Sequence, residues 1–419
     1  MKFDKSLALL KRAEKIIPVC SQTLSKGPNY LPKGAAPVYL KSGQGSHVFD
    51  VDGNEFVDYI LGLGPITLGY NYIWTNGAII NQLQMSGIIF SLPHPLEVEL
   101  SELLVEIIPC AEKVRFTKTG SEATSAAVKI ARAYTNRDKI AFRGYHGWHD
   151  WYSISTERPK GIPIVYGDFI HKFEYNDIKS LEALFTLYPD EIACVIMEPV
   201  IVEKPYNGFL DEVKELTHQN GALLIFDETV TGFRFALGGA QEYFNVIPDL
   251  ATFGKGMANG MPLGAVVGKA EIMRECEDIF FSSTFGGECL SLAASLATIT
   301  EMRDRNTIDK VWNIGRELMD GINKIGFFHC VGYPWRPIID MEMSVELKTL
   351  FLQEMIEHGI LIHNNMFLNI CYSHTREDVE KTLEAFEDIA TLFIDIENSE
   401  RDPSELLKGE LVNPAFRRL

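Results

Sequence analysis

Six short apolar stretches along the middle of this chain constrain its fold more than any other feature. They are "KVRFT" (113–117), "KIAFRG" (139–144), "EIACVIMEP" (191–199), "GALLIFDE" (221–228), "DLATFG" (249–254) and "GAVVG" (264–268). Each has the length of a strand, and several are apolar without alternation, as in strands buried on both faces. Parallel sheets covered by helices have that property. Between them lie segments such as "GSEATSAAVKIARAYTNRDK" (120–139), whose alanine-rich composition has strong helix propensity. The pattern predicts an α/β domain with a mostly parallel central sheet.

The flanks read differently. "GSHVFDVDGNEFVDYILGLG" (45–64) predicts a hairpin turning at Asp52-Gly53. After about residue 290 the pattern becomes helical, with strands at "PIIDMEM" (337–343) and "FLNICY" (367–372) and a long amphipathic helix in "TREDVEKTLEAFEDIATLFIDI" (375–396). The expected organisation is an N-terminal segment 1–65, a large α/β domain 66–300, and a C-terminal α+β segment 301–419. The two end segments together form the smaller domain.

Composition narrows the function classes. The chain has 419 residues, 46% hydrophobic and 23% charged, with a formal net charge of −18. Such a balance argues against a general nucleic-acid or anionic-membrane binder. The opening "MKFDKSLALLKRAEKIIP" interrupts its apolar residues with Lys11, Arg12, Glu14 and Lys15, so it reads as an amphipathic helix and not as a signal peptide. Seven cysteines lack any CxxC pairing, which points to a reducing compartment. No apolar run approaches the length of a bilayer span. A cytoplasmic location is expected.

Four clusters fall at strand ends, where open α/β sheets bind ligands. In "TKTGSEAT" (117–124) a strand ends, Gly120 permits a turn and Ser121 opens a helix, so backbone N–H groups point outward toward an anion. Ordinary N-capping by Thr119 or Ser121 accounts for the same residues. "FRGYHGWHDWY" (142–152) crowds Tyr145, His146, Trp148, His149, Trp151 and Tyr152 into one glycine-punctuated loop, fit to stack a flat ring or simply to pack on itself. His146 and His149 also raise a metal, but no second group of ligands has suitable spacing, and none is expected. In "ALLIFDETVTGFR" (222–234) Asp227 and Glu228 close an apolar strand and should point to opposite sides. One faces the site; the other caps or bridges. Finally Lys255 stands between Gly254 and Gly256 in "FGKG". A desolvated lysine there has a lowered pKa and a nucleophilic amine, whereas an exposed loop lysine is the bland alternative. "FGKGMANG" is not a P-loop, which requires Gly-Lys-[Ser/Thr].

Together the clusters match one cofactor. Pyridoxal 5'-phosphate (PLP) has a phosphate, a flat ring, a ring nitrogen that takes a carboxylate, and an aldehyde that takes a lysine. The stretches "TGSEAT", "GYHG", "EPV" (198–200), "LLIFDETVTGFR", "PDLATFGKGMANGMPLGAVVG" and "SSTFGGE" also occur in the order found in class-III aminotransferases. The chain resembles that family, and most closely its glutamate-1-semialdehyde 2,1-aminomutase branch, from about Ile17 to "SHTREDV". The resemblance implies fold type I and a homodimer with shared active sites. By motif match, Lys255 resembles the Schiff-base lysine and Asp227 the ring-nitrogen partner. Gly120 and Ser121 resemble the phosphate cradle, and Tyr145 the stacking ring with His146 beside it. Glu198 resembles a site-lining glutamate, and Thr284 the threonine that reaches the partner subunit's cofactor phosphate.

Departures cluster where substrate would bind. The aminomutases carry "GVNSPVRAF" where this chain has "VCSQTLSKGP", which places Thr23 and Lys26 there. A lysine cannot reproduce the bidentate fork of an arginine on a carboxylate. Met366 replaces a glutamate eight residues before His374-Thr375, Glu288 closes "FGGE" where the family has "SGNP", and Thr229 stands for a valine. Thr23, Lys26 and Glu288 are the candidate substrate residues. The expected activity is transfer of an amino group from a donor to a polar keto or aldehyde acceptor, through a Lys255 internal aldimine and a pyridoxamine form. The alternatives are intramolecular transfer of the aminomutase type and a non-catalytic binding protein on the same fold.

Overall fold

The computed structural model describes residues 1–412. Its strands are β1 (Leu40–Gln44), β2 (His47–Asp50), β3 (Glu55–Asp58), β4 (Lys113–Thr117), β5 (Lys139–Arg143), β6 (Ile170–Lys172), β7 (Ile192–Met197), β8 (Leu223–Asp227), β9 (Leu250–Phe253), β10 (Gly264–Gly268), β11 (Cys330–Tyr333), β12 (Arg336–Ile339) and β13 (Ile360–Leu361). The chain divides into two compact units. One is the contiguous stretch Ile73–Ile308, and the other combines Met1–Tyr72 with the chain from Asp309 on.

The contiguous unit is built on a seven-stranded sheet of order β4-β10-β9-β8-β7-β5-β6. β5, β6, β7, β8 and β9 pair in parallel, whereas β10 runs antiparallel to both its neighbours. All six expected strands are present, and β6 is an addition. Side chains on a strand alternate between faces, and here that alternation separates two apolar layers. Ile140, Phe142, Cys194, Ile196, Leu223 and Ile225 pack with Ala123, Ala127, Ile130 and Ala131 of the helix Gly120–Thr135. Ala141, Val195, Met197, Leu224 and Phe226 pack on the opposite face with Phe185, Phe209 and Val213 of the helices Ile178–Leu187 and Phe209–Gln219. Both faces are covered, which explains the unbroken apolar runs. The alanines let the first of these helices lie close against the sheet.

In the other unit β1, β2, β3 and β13 form one sheet, with β13 parallel to β3 although about 300 residues separate them in sequence. The hairpin expected at Asp52-Gly53 is present: Asp50 Oδ1 accepts from the N–H groups of Asp52, Gly53 and Asn54. Asp378, near the start of the helix Arg376–Ser399, takes hydrogen bonds from Ser46 Oγ and His47 Nε2, both at 2.8 Å. One expected strand differs. "FLNICY" forms only an isolated bridge, Phe367 with Ile338. Its N–H groups alternate between neighbours: Leu368 and Ile370 donate to Pro337 and Trp335 carbonyls, while Asn369 and Tyr372 donate to Tyr59 and Thr67. Pro337 has no N–H to return, so no continuous ladder forms with β12. Among the described residues no helix is long and apolar enough to cross a membrane.

Candidate active site

The carboxyl ends of β4, β5, β7, β8 and β9 share one edge of the large sheet, because those strands run in one direction. After β4, Thr119 caps the helix Gly120–Thr135. Its side chain accepts from Glu122 N at 3.2 Å, and Glu122 Oε2 accepts from Thr119 N at 3.1 Å and Lys118 N at 2.7 Å. The capping reading of this stretch is therefore correct, and it leaves the anion reading intact. A capping box satisfies the third helical N–H, while the first two, on Gly120 and Ser121, have no partner within a helix.

β8 ends in Asp227, whose side chain follows Leu223 and Ile225 to the face covered by that helix. Asp227 is buried. Its Oδ2 faces His146 Nδ1 at 2.8 Å, and its Oδ1 accepts from Thr229 N at 3.1 Å and Thr252 Oγ1 at 3.0 Å. Burial opposes the charge, but the His146 hydrogen bond and its positive field, with the Thr229 donors, outweigh it and lower the Asp227 pKa. His146 in turn sets Nε2 3.2 Å from the Arg143 carbonyl. Both ring nitrogens thus face oxygen acceptors. Glu228 points the other way. It accepts from the N–H groups of Ala240 and Gln241 at 2.8 and 2.9 Å and from the Thr231 hydroxyl, and burial raises its pKa. The two adjacent carboxylates point to opposite sides, as strand alternation predicts.

The aromatic loop is mainly packing. Trp151 and Tyr152 are buried against Phe142 and His146, and His149 bonds Ser125. Tyr145 is half-buried, edge-on to Tyr152, with its N–H on Glu198 Oε1 at 2.6 Å. Gly144 has φ +106°, and an added Cβ would lie 2.8 Å from that same Glu198 oxygen, so the turn holding Tyr145 is moulded around Glu198.

Lys255 opens a short helical turn after β9 with φ +36°, an uncommon conformation for a residue with a side chain. Ser295 Oγ donates to the Met257 carbonyl at 2.9 Å and anchors that turn. Gly254 and Gly120 converge on Thr229. A Cβ on Gly120 would lie 2.9 Å from Thr229 Cγ2, and one on Gly254 would lie 3.4 Å from it. Glycine is needed at Gly120 because three strand ends meet there. The Thr229 hydroxyl is buried and makes no hydrogen bond of good geometry in the protein, although it stands near enough to Asp227 to favour that carboxylate's charge.

Gly120, Ser121, Tyr145, His146, Glu198, Asp227 and Lys255 therefore lie in the strand-end turns of one sheet edge. Thr284 stands on an exposed turn beside Phe285. Glu288 caps the helix Cys289–Asp304, accepting from Leu290 N and from Ser291 N and Oγ, and pairs with Lys118 at 3.0 Å. Thr23, Lys26 and Met366 belong to the other unit, Lys26 exposed and Met366 buried. Thr252 and Lys118 were missed. The signal for Thr252 was a lone hydroxyl inside "LATF"; its register opposite Asp227 is a tertiary fact. Among the described residues no group of three or more His, Cys, Asp or Glu is placed to hold a metal ion.

A parallel sheet with a capped helix N-terminus, a buried Asp–His pair and a glycine-flanked lysine at one edge is the arrangement of a fold type I transferase. Comparison with known proteins agrees. The family model for class-III aminotransferases matches residues 30–390, and the chain belongs to that family. It is 38% identical to the 3-aminobutyryl-CoA aminotransferase of Cloacimonas acidaminovorans, over 92% of this chain and 96% of that one. It is 34% identical to the glutamate-1-semialdehyde 2,1-aminomutase 2 of Brevibacillus brevis, over 92% and 98%. The PLP internal-aldimine form of the Sphingopyxis sp. MTA144 FumI protein superposes with a TM-score of 0.89 at 26% identity, covering 96% of this chain and 99% of that one.

Proposed function

We propose that this enzyme moves an amino group between an amino donor and a polar keto or aldehyde acceptor, with PLP attached at Lys255. The observation that carries the reading is the convergence of Lys255, Asp227–His146 and the Gly120–Ser121 helix start on one sheet edge. The residues fit the cofactor. A glycine-lined cradle stands at a helix N-terminus, and a buried hydroxyl and an ionised carboxylate face into it.

When bound, PLP supplies an electron sink for the carbanion at the substrate carbon. The protein's part follows from its own groups. Gly120 and Ser121 N–H hold the phosphate. Asp227, kept anionic and oriented by His146 and Thr252, holds a proton on the ring nitrogen. Tyr145 covers the ring from a turn fixed by Glu198. Lys255 Nζ would attach the cofactor and would also move the proton at the substrate carbon as general acid and base. Thr23 and Lys26 are proposed for the polar end of the substrate. Glu288 is proposed to act on substrate only through Lys118, since helix capping occupies its oxygens.

A homodimer is part of the proposal, with Thr284 serving the partner's phosphate. Exposed apolar side chains at Trp74, Met85, Leu92, Phe280 and Phe285 support it, because a monomer rarely leaves so many uncovered.

Absorbance titration with candidate amines tests the reading. Loaded protein should absorb in the visible, lose that band with a true donor, and carry cofactor mass on the Lys255 peptide after borohydride reduction. Lys255→Ala should show neither. A wild-type protein indistinguishable from Lys255→Ala overturns the assignment. The aminomutase relatives favour one second reading: if a single amino-aldehyde isomerises with no second substrate, intramolecular transfer replaces exchange.

A further inference from the structure

His149 has no part in the proposed mechanism, yet it stands on the contact between the aromatic loop and the helix Gly120–Thr135. Three hydroxyls on the first two turns of that helix meet the loop. Ser121 Oγ accepts from Trp148 N at 3.3 Å, and a Cβ on Gly147 would lie 2.3 Å from the same oxygen, so a glycine lets the loop come this near. Thr124 Oγ1 donates to the His146 carbonyl at 2.7 Å. Ser125 Oγ has three polar neighbours: Trp151 Nε1 at 2.8 Å, the Ser121 carbonyl at 2.8 Å and His149 Nδ1 at 2.6 Å. The loop held in this way carries Tyr145 and also His146, which faces Asp227. The proton count at Ser125 is restrictive. A hydroxyl has one proton to give and two lone pairs. The indole N–H can only donate to it, and the carbonyl can only accept. If the Ser125 proton goes to the carbonyl, His149 Nδ1 must donate, and all three contacts are made. If Nδ1 carries no hydrogen, two acceptors compete for one proton and one contact is lost.

We propose that His149 is a positioning residue, an Nδ1–H donor onto Ser125 that holds the Tyr145–His146 turn against the helix start Gly120–Ser121. The consequence for the cofactor rests on the PLP reading; the hydrogen on Nδ1 does not. The helix start is the proposed phosphate cradle, and the turn covers the ring and orients Asp227. One hydrogen-bonded staple thus sets the spacing between the two ends of the cofactor site. His149 acts through Ser125 and not on the cofactor itself.

Two measurements test it. Histidine-selective nitrogen NMR of the cofactor-free wild-type protein, with His149→Asn to identify the signals, should find hydrogen on His149 Nδ1. A bare Nδ1 overturns the proposal. The second measurement is the rate at which PLP leaves into a trap, for variants whose thermal unfolding shows them folded. His149→Leu and Ser125→Ala should each release PLP about 3- to 10-fold faster than wild type, the effect of one hydrogen bond. The double variant should be no faster than Ser125→Ala, because the two residues serve one contact. His149→Asn, whose amide N–H can stand in for Nδ1–H, should stay within about 2-fold of wild type on the same scale. Unchanged release from His149→Leu overturns the proposal. So do additive effects in the double variant, or an asparagine that loses PLP as fast as leucine, since ring packing would then carry the effect. Failure of the wild-type protein to take PLP at all would instead overturn the functional reading, and the nitrogen spectrum would still decide whether His149 is the donor.

Discussion

Asp227 and Glu228 are adjacent in sequence and opposite in fate. Both are buried, and burial alone would raise both pKa values. Asp227 meets His146, Thr252 and the Thr229 N–H and is lowered, whereas Glu228, bonded to backbone N–H groups and the Thr231 hydroxyl, stays raised. Strand alternation read from the sequence is enough to separate their directions. It cannot say which of the two meets an imidazole, because His146 arrives from a different strand end. The role proposed for Asp227 has a kinetic consequence. Asp227→Asn should still bind PLP, because the phosphate and Lys255 contacts remain. Stopped-flow rates of the amino-transfer half-reaction should fall on the order of 10²-fold or more, as for loss of a group that stabilises developing charge. Unchanged rates would remove Asp227 from the mechanism.

At the scale of elements, the helix Gly120–Thr135 and the helix Arg376–Ser399 begin in the same way. Each has a capping box, Thr119 with Glu122 and Thr375 with Asp378, and both follow a pattern legible in the sequence. In the second helix the acidic member of the capping box has a further task. Asp378 also receives His47 from β2, and that hydrogen bond, against the opposing effect of partial burial, raises the His47 pKa. A raised histidine stabilises the fold fully below its unfolded pKa of about 6.5, and the contribution disappears as pH rises through the raised folded value. His47→Gln should therefore lower the unfolding midpoint at pH 6 and approach wild type by about pH 9. Urea melts across that range measure it, and a pH-independent difference would mean that packing, not charge, is lost. No sequence pattern links His47 to Asp378. Only the return of the chain's end to its beginning brings them together.

For the whole molecule, one compact unit is contiguous in sequence and the other is made from the two ends of the chain. The exposed apolar residues of the contiguous unit bear on the proposed dimer. Light scattering should find a dimer for wild type and a monomer for Met85→Glu with Leu92→Glu, and amino transfer should fall with the dimer if Thr284 serves the partner's site. A monomeric wild-type enzyme with full activity would sink the shared-site reading.

The sequence by itself determined the strand series, the helix capped at Thr119, the glycine-flanked lysine and the carboxylate closing "LLIFD". Each is set by local chemistry, namely apolar period, turn residues and capping, which act over a few positions. Tertiary structure alone decided that Thr252 and His146 share Asp227, that Glu288 pairs with Lys118, and that Gly120 and Gly254 leave just enough room for Thr229. Those facts depend on strand order and register, which bring together residues far apart along the chain, and no local preference specifies them.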